Sequence, residues 1–382
     1  MEPSKVYFTD FRTKVFGDSI QCKLERLIKK AGMLDIDFNN KFVAIKIHFG
    51  EPGNLAYLRP NWARTVCDYV KKLGGKPFLT DCNTLYVGGR KNAIDHLDSA
   101  YINGYNPLAT GVQTIIADGL RGLDEREMPV PGGEYCKTAK IGSALAEADI
   151  VLSLSHVKGH VSAGFGGVLK NIGMGGGSRS GKQQMHSDGT PAVIEERCVG
   201  CRTCEKNCAH EGIKVVNKKA VIDEDKCLGC GRCIAVCPKD AIQTKWDSGK
   251  AALSCKIAEY TWAVINGKPN FHIAFVMDVS PDCDCDGQND LPIVPDVGIF
   301  AGVDPVAIDQ ACADAVNAQE INEGSVLGDI LRDSRKRSER QKMIDDRDVF
   351  RMLHPNTAWA AGLEHGEKLG MGTREYELIT MK

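Results

Sequence analysis

No apolar run in the 382-residue sequence approaches the about 18 residues needed to cross a bilayer. Met1 to Asp10 contain no basic segment leading into an apolar stretch, so no secretory signal is expected. Nor is there an excess of one charge. With 48 Lys and Arg against 50 Asp and Glu, the net charge is −2, and nothing favours nucleic acid or an anionic membrane as partner. Aromatics are few, at 7%, but 43% of the residues are hydrophobic, which excludes a disordered or acidic-tail chain. A soluble, cytoplasmic protein is expected.

What is abundant is cysteine. Sixteen are present, and eight lie between Cys198 and Cys237. Without a secretory signal a disulfide framework is not expected, so clustered cysteines point to metal. Cys198, Cys201, Cys204 and Cys208 read C-x2-C-x2-C-x3-C, and Cys227, Cys230, Cys233 and Cys237 repeat that spacing before Pro238. This is the bacterial ferredoxin pattern, twice. Three thiolates two residues apart can wrap one face of an iron-sulfur cube, and the fourth departs to the other cube. One [4Fe-4S] cluster is then assigned Cys198, Cys201, Cys204 and Cys237, and the other Cys227, Cys230, Cys233 and Cys208. Zinc ribbons are the alternative, but paired C-x2-C ligands do not explain a third cysteine at the same interval.

The two runs repeat at 29 residues, which bounds a module over residues 191–245. Flanking it, apolar strands alternate with amphipathic helices, the pattern of an α/β domain with a mostly parallel sheet. Residues 1–190 and 246–382 are thus expected to form one host domain, ending in a charged helical tail, with the ferredoxin-like module inserted. Predicted strands include Lys5–Thr9, Lys41–Phe49, Phe78–Thr80, Ile150–Ser155, Phe271–Val279 and Val297–Ala301. Many end on polar residues: His48, Asp81, the His156/Lys158/His160 group, Asp278 and Asp304. In an open parallel sheet such ends line one crevice, where ligands bind. His48, His156, Lys158, His160 and His186 are the candidate catalytic residues.

Cys283 and Cys285, one residue apart among aspartates, are candidate ligands of a further metal alongside a histidine. They should be partly exposed. Cys22, Cys67 and Cys312 are expected in the core. The glycine-dense stretch from Gly164 to Gly177 runs into a mimic of a phosphate loop, Gly176 to Lys182, in which Gln183 replaces the Ser or Thr. Its backbone N–H groups, with Lys170, Asn171, Gly175 and Gly176, are expected to cradle an anion or a cofactor phosphate.

These residues resemble the domain-of-unknown-function 362 family, in its branch of uncharacterised iron-sulfur centre proteins. The matching pieces are Lys46 to Glu51, Thr80 to Arg90, His156 to Asn171, Met185-His186-Ser187-Asp188, the paired cysteine motif, Cys283-Asp284-Cys285 and Asp304 to Asp309. Cys82 stands where related chains would carry alanine. The resemblance implies an α/β domain with a two-cluster insertion and supplies no reaction. The expected function is an iron-sulfur oxidoreductase, its crevice holding a flavin, a further metal or a small-molecule substrate. The alternatives are an electron carrier docking a redox partner protein, or an iron-sulfur sensing or assembly protein.

Overall fold

In the computed structural model the described residues are 2–381 except 15, 188 and 189, so Asp188 of the quoted motif lies outside them. Eight strands form the central sheet: β1 (Ser4–Asp10), β2 (Phe42–Lys46), β3 (Lys76–Asp81), β4 (Thr114–Ile116), β5 (Ile150–His156), β6 (Asn270–Val276), β7 (Gly298–Gly302) and β8 (Tyr376–Thr380). Their order across the sheet is β8-β1-β7-β6-β5-β2-β3-β4. Every pair is parallel except the two made by β7, which alone runs backwards.

Alternate side chains bury on opposite faces. Val43, Ile45, Leu152, Ile273 and Phe275 pack with α1 (Ile20–Lys30) and α2 (Pro60–Lys72). Ala44, Val151 and Ala274 pack on the other face with α3 (Val168–Gly176), α5 (Lys250–Ile265) and α6 (Pro305–Asn317). Between α3 and α5 lies α4 (Arg179–His186). A sheet covered on both faces needs apolar residues at both phases of each strand, as these sequences supply. Cys67 and Cys312 are buried as expected, but Cys22 is exposed, its sulfur beside the Ser19 hydroxyl. Among the described residues no helix is long and apolar enough to cross a membrane.

The reversed strand corrects one expectation. Because β7 runs antiparallel, Asp304 emerges on the sheet edge opposite the other strand ends. There it caps α6, accepting the Val306 and Ala307 N–H groups at 2.9 Å.

Residues 191–245 leave and rejoin the chain side by side, Ala192–Val193 pairing antiparallel with Ile242–Gln243. Between them lie a hairpin (Ile213–Val216 with Lys219–Ile222) and two five-residue helices (Thr203–Asn207 and Arg232–Val236). Cys204, Ile213, Ala220, Ile234 and Ile242 form a small apolar cluster, which Leu85 of the α/β part completes. Left-handed residues recur at the 29-residue offset: Gly200 with Gly229, Arg202 with Gly231, and Glu211 with Asp240.

Candidate functional site

β2, β3, β5 and β6 end on one sheet edge, and a cavity of about 330 Å³ opens there. His48, His156, Lys158, His160, His186, Lys170, Asn171, Gly175, Cys283 and Cys285 all line it. Gly176 does not; it packs against Leu145.

The wall is held by buried ion pairs. Asp284 is buried and accepts from His156 Nδ1 at 2.9 Å and from Lys158 Nζ at 2.7 Å. His156 Nε2 faces the Met277 carbonyl at 2.8 Å, so both its ring nitrogens are engaged by oxygens of the wall. His156 therefore has no free nitrogen for a substrate or metal, and it and Lys158 anchor the 283–286 loop. Lys46 Nζ lies 2.9 Å from Asp81 and donates to Asn171 Oδ1 at 3.0 Å. Arg90 Nε donates to Glu51 at 2.8 Å, and its guanidinium also contacts the Tyr86 hydroxyl. Burial would raise the Asp81 pKa, but Lys46 and Arg90 outweigh it and hold the carboxyl well below the usual range.

His48 is different. Its Nδ1 accepts the Gly50 N–H at 3.0 Å, and burial, with Arg90 nearby, pushes its pKa well down. The ring is neutral and its proton sits on Nε2. Burial likewise keeps His186 neutral; its ring stands edge-on to Trp246 at 4.5 Å.

Cys283 is buried and Cys285 half-buried. Together with His160 they bring three ligand-capable atoms within 4.8 Å of one another, the convergence expected of a small metal group. The orientation of His160 bears on that use. Its Nδ1 accepts the Ser162 and Ala163 N–H groups at 3.0 and 2.9 Å, so the neutral ring carries its proton on Nε2. Lys170 Nζ donates to Cys283 Sγ at 3.3 Å. A hydrogen bond from Cys285, then Lys170 and His160, hold the Cys283 thiol well below its ordinary range, and the same bond raises Cys285.

The glycine stretch is not the anion cradle expected of it. It forms α3, whose first N–H groups are already taken: Val168 and Leu169 donate to Asp309 at 2.6 and 2.9 Å. Its glycines serve close packing. A Cβ at Gly173 would lie 2.2 Å from the Ile257 carbonyl, and one at Gly175 2.3 Å from Lys46 Nζ. Lys170 and Asn171, one turn in, still reach the cavity.

Residues 43–314 match the family described as domain of unknown function (DUF362). The chain belongs to the DUF362 family. No curated protein matches it. Among solved structures, the DUF362 chain is similar to the lactate racemase apoprotein from Thermoanaerobacterium thermosaccharolyticum, at 12% identity and a TM-score of 0.36, over 72% of this chain and 51% of that one. A protein from Thermotoga maritima matches at 12% identity and a TM-score of 0.33, over 73% of this chain and 54% of that one. The chain thus spans about half the length of each.

The eight clustered cysteines of this DUF362 chain fall into two quartets. Cys198, Cys201, Cys204 and Cys237 line one small cavity, and Cys208, Cys227, Cys230 and Cys233 line another. Backbone N–H groups of Ala220, Gly212 and Ala241 reach the sulfurs of Cys198, Cys208 and Cys237, each at 3.3 Å. Leu85 links the quartets to the large cavity, lining the one and packing beside the others.

Sequence reasoning did not single out Lys46, Arg90, Lys182 or Tyr86, all of which line the large cavity. Lys46 carried a signal: a lone charge inside an apolar strand must be buried, and a buried charge needs a partner.

Proposed function

We propose that the chain is an iron-sulfur oxidoreductase whose sheet-edge cavity binds a small anionic substrate or cofactor. The observation that carries the reading is the exchange of the fourth cysteine between the two quartets. The residues suit [4Fe-4S] clusters: four thiols line each cavity, N–H groups reach their sulfurs, and left-handed turns recur in both halves. Bound there, the clusters would supply one-electron transfer.

The chain's own residues make the cavity selective. Lys170, Lys182 and Arg90 supply positive charge in a low-dielectric wall, which favours a carboxylate, phosphate or thiolate ligand. Neutral His48 offers a proton from Nε2. A volume of about 330 Å³ lies at the small end of ligand sites, roughly 300–1,000 Å³. A pure electron carrier has no use for a buried cationic cavity of this size, so the cavity favours the enzyme. A flavin is a subsidiary proposal for the same space.

Metal, sulfide and flavin analysis of anoxically purified protein, with spectroscopy of the reduced state, tests this. About eight irons per chain are expected from two such clusters. Zinc in place of iron overturns the reading.

A further inference from the structure

We propose that Cys283 and Cys285 are a dithiol that exchanges with an organic disulfide entering the cavity, Cys283 attacking and Cys285 resolving. The inference rests on the cavity being the substrate site and names its substrate class; it does not depend on what the cysteine quartets hold.

Three groups converge on Cys283 Sγ: Lys170 Nζ donates to it at 3.3 Å, and a His160 ring nitrogen and the Cys285 sulfur lie within 4.8 Å of it. A lysine ammonium in direct contact with a buried sulfur, with an imidazole beside it, is the environment of a stabilised thiolate. A metal ligand needs the opposite. Metal-bound histidines donate their second ring N–H to an acceptor, whereas His160 Nδ1 receives two N–H groups. The Lys170 ammonium would also lie beside any cation on Cys283.

The loop geometry supplies the second thiol. Cys283 to Asp286 form a turn closed by the Asp286 N–H donating to the Cys283 carbonyl at 3.0 Å, in which Asp284 faces the wall while its two neighbours line the cavity. The turn is tied through two successive carbonyls: Glu51 N–H donates to that of Asp284 at 2.9 Å, and the Tyr86 hydroxyl to that of Cys285 at 3.2 Å. Groups facing the pair besides Lys170 and His160 are His48, Arg90, Tyr86 and Asp286.

The Cys283 thiolate attacks one sulfur of R–S–S–R′, forming Cys283–S–S–R and expelling R′–S⁻. The Cys285 thiol gives its proton to R′–S⁻, and its sulfur then attacks Cys283, releasing R–S⁻. The pair loses two electrons and the substrate disulfide gains two. A small dithiol in excess returns the pair to its reduced state.

Whole, anoxic, reduced protein is treated with iodoacetamide at pH 6 and read peptide by peptide by mass spectrometry. Cys283 is expected to label at least tenfold faster than Cys67 and Cys312. Lys170→Met should slow it about tenfold at pH 6 and little at pH 9.5, and Lys170→Arg should restore it. With glutathione disulfide as probe, the peptide carrying both cysteines should lose two hydrogens and regain them with dithiothreitol. Cys285→Ser should instead trap glutathione on Cys283. A stoichiometric metal that shields both thiols and disappears in Cys283→Ser would overturn the proposal, as would labelling no faster than the core cysteines. Iron content and reduced-state spectra on the same samples keep the readings apart: exchange without iron sinks only the clusters, and clusters without exchange sink only the dithiol.

Discussion

Residues 191–245 and the sheet-edge cavity both gather ligand-capable side chains, but by opposite routes. In the first, eight cysteines come from 40 consecutive residues and a 29-residue repeat, held by two short helices, two small sheets and an apolar cluster of a few side chains. In the second, His48, Asp81, Lys170 and Cys283 are spread over more than 200 residues of chain, brought together by parallel strands with a core on each face. One site is encoded by spacing and the other by topology. A site written in spacing leans on its ligands to stay folded, while a site written in topology is held by the fold around it.

The largest effect should come from breaking that difference. Removing the proposed clusters with a chelator should abolish hydrogen-exchange protection across 191–245, by more than 100-fold, and leave the central sheet protected. About 55 residues bury too little apolar surface to hold alone, so ligation would carry their folding. Equal loss in both regions would show that they fold as one.

Next comes the cavity wall. Asp284→Ala removes the shared partner of His156 and Lys158 and leaves the buried Lys158 ammonium uncompensated, a loss of about 3–5 kcal/mol measured by urea unfolding. A change under about 1 kcal/mol would mean that the wall is held elsewhere.

A smaller effect follows pH. Burial pushes His96 and His272 down to about 3, so both stay neutral in the fold. The unfolded chain takes up protons below about 6.5, so stability falls as pH drops from 6.5 towards 3. At pH 5 the loss is at most about 2 kcal/mol per histidine, and urea midpoints at pH 7 and pH 5 measure it. His272→Gln should flatten the slope.

The smallest prediction concerns the repeat itself. Arg202 holds the left-handed position that Gly231 fills in the second half, with φ of 61° and 67°. Arg202→Gly should stabilise the segment by about 1 kcal/mol, read as slower exchange of its first half.

The strand-helix alternation and the cysteine spacing were legible because each is local: a period of two, a period of 3.6, a fixed interval between thiols. The convergence of His48, His160, Lys170 and Cys283 was partly legible, since parallel strands bring their ends together. Asp304 was misplaced because nothing in its own strand distinguishes a reversed neighbour from a parallel one. The glycines of α3 were misread for a related reason. A glycine beside Ile257 and one beside an anion look alike until the partner is known. The roles of Lys46 and Arg90 depend on carboxylates 35 and 39 residues away, beyond the reach of any local pattern.

Ala192–Val193 and Ile242–Gln243, the antiparallel pair at the neck of the smaller unit, have a consequence for descent. Where a segment enters and leaves through adjacent strands, it can be cut out or spliced in without moving the rest of the chain, since a short turn would close the gap. The host sheet with its cavity is thus a body that can exist with or without this appendage. Relatives lacking the eight cysteines would be expected to retain the histidines, the lysines and the Cys283 loop.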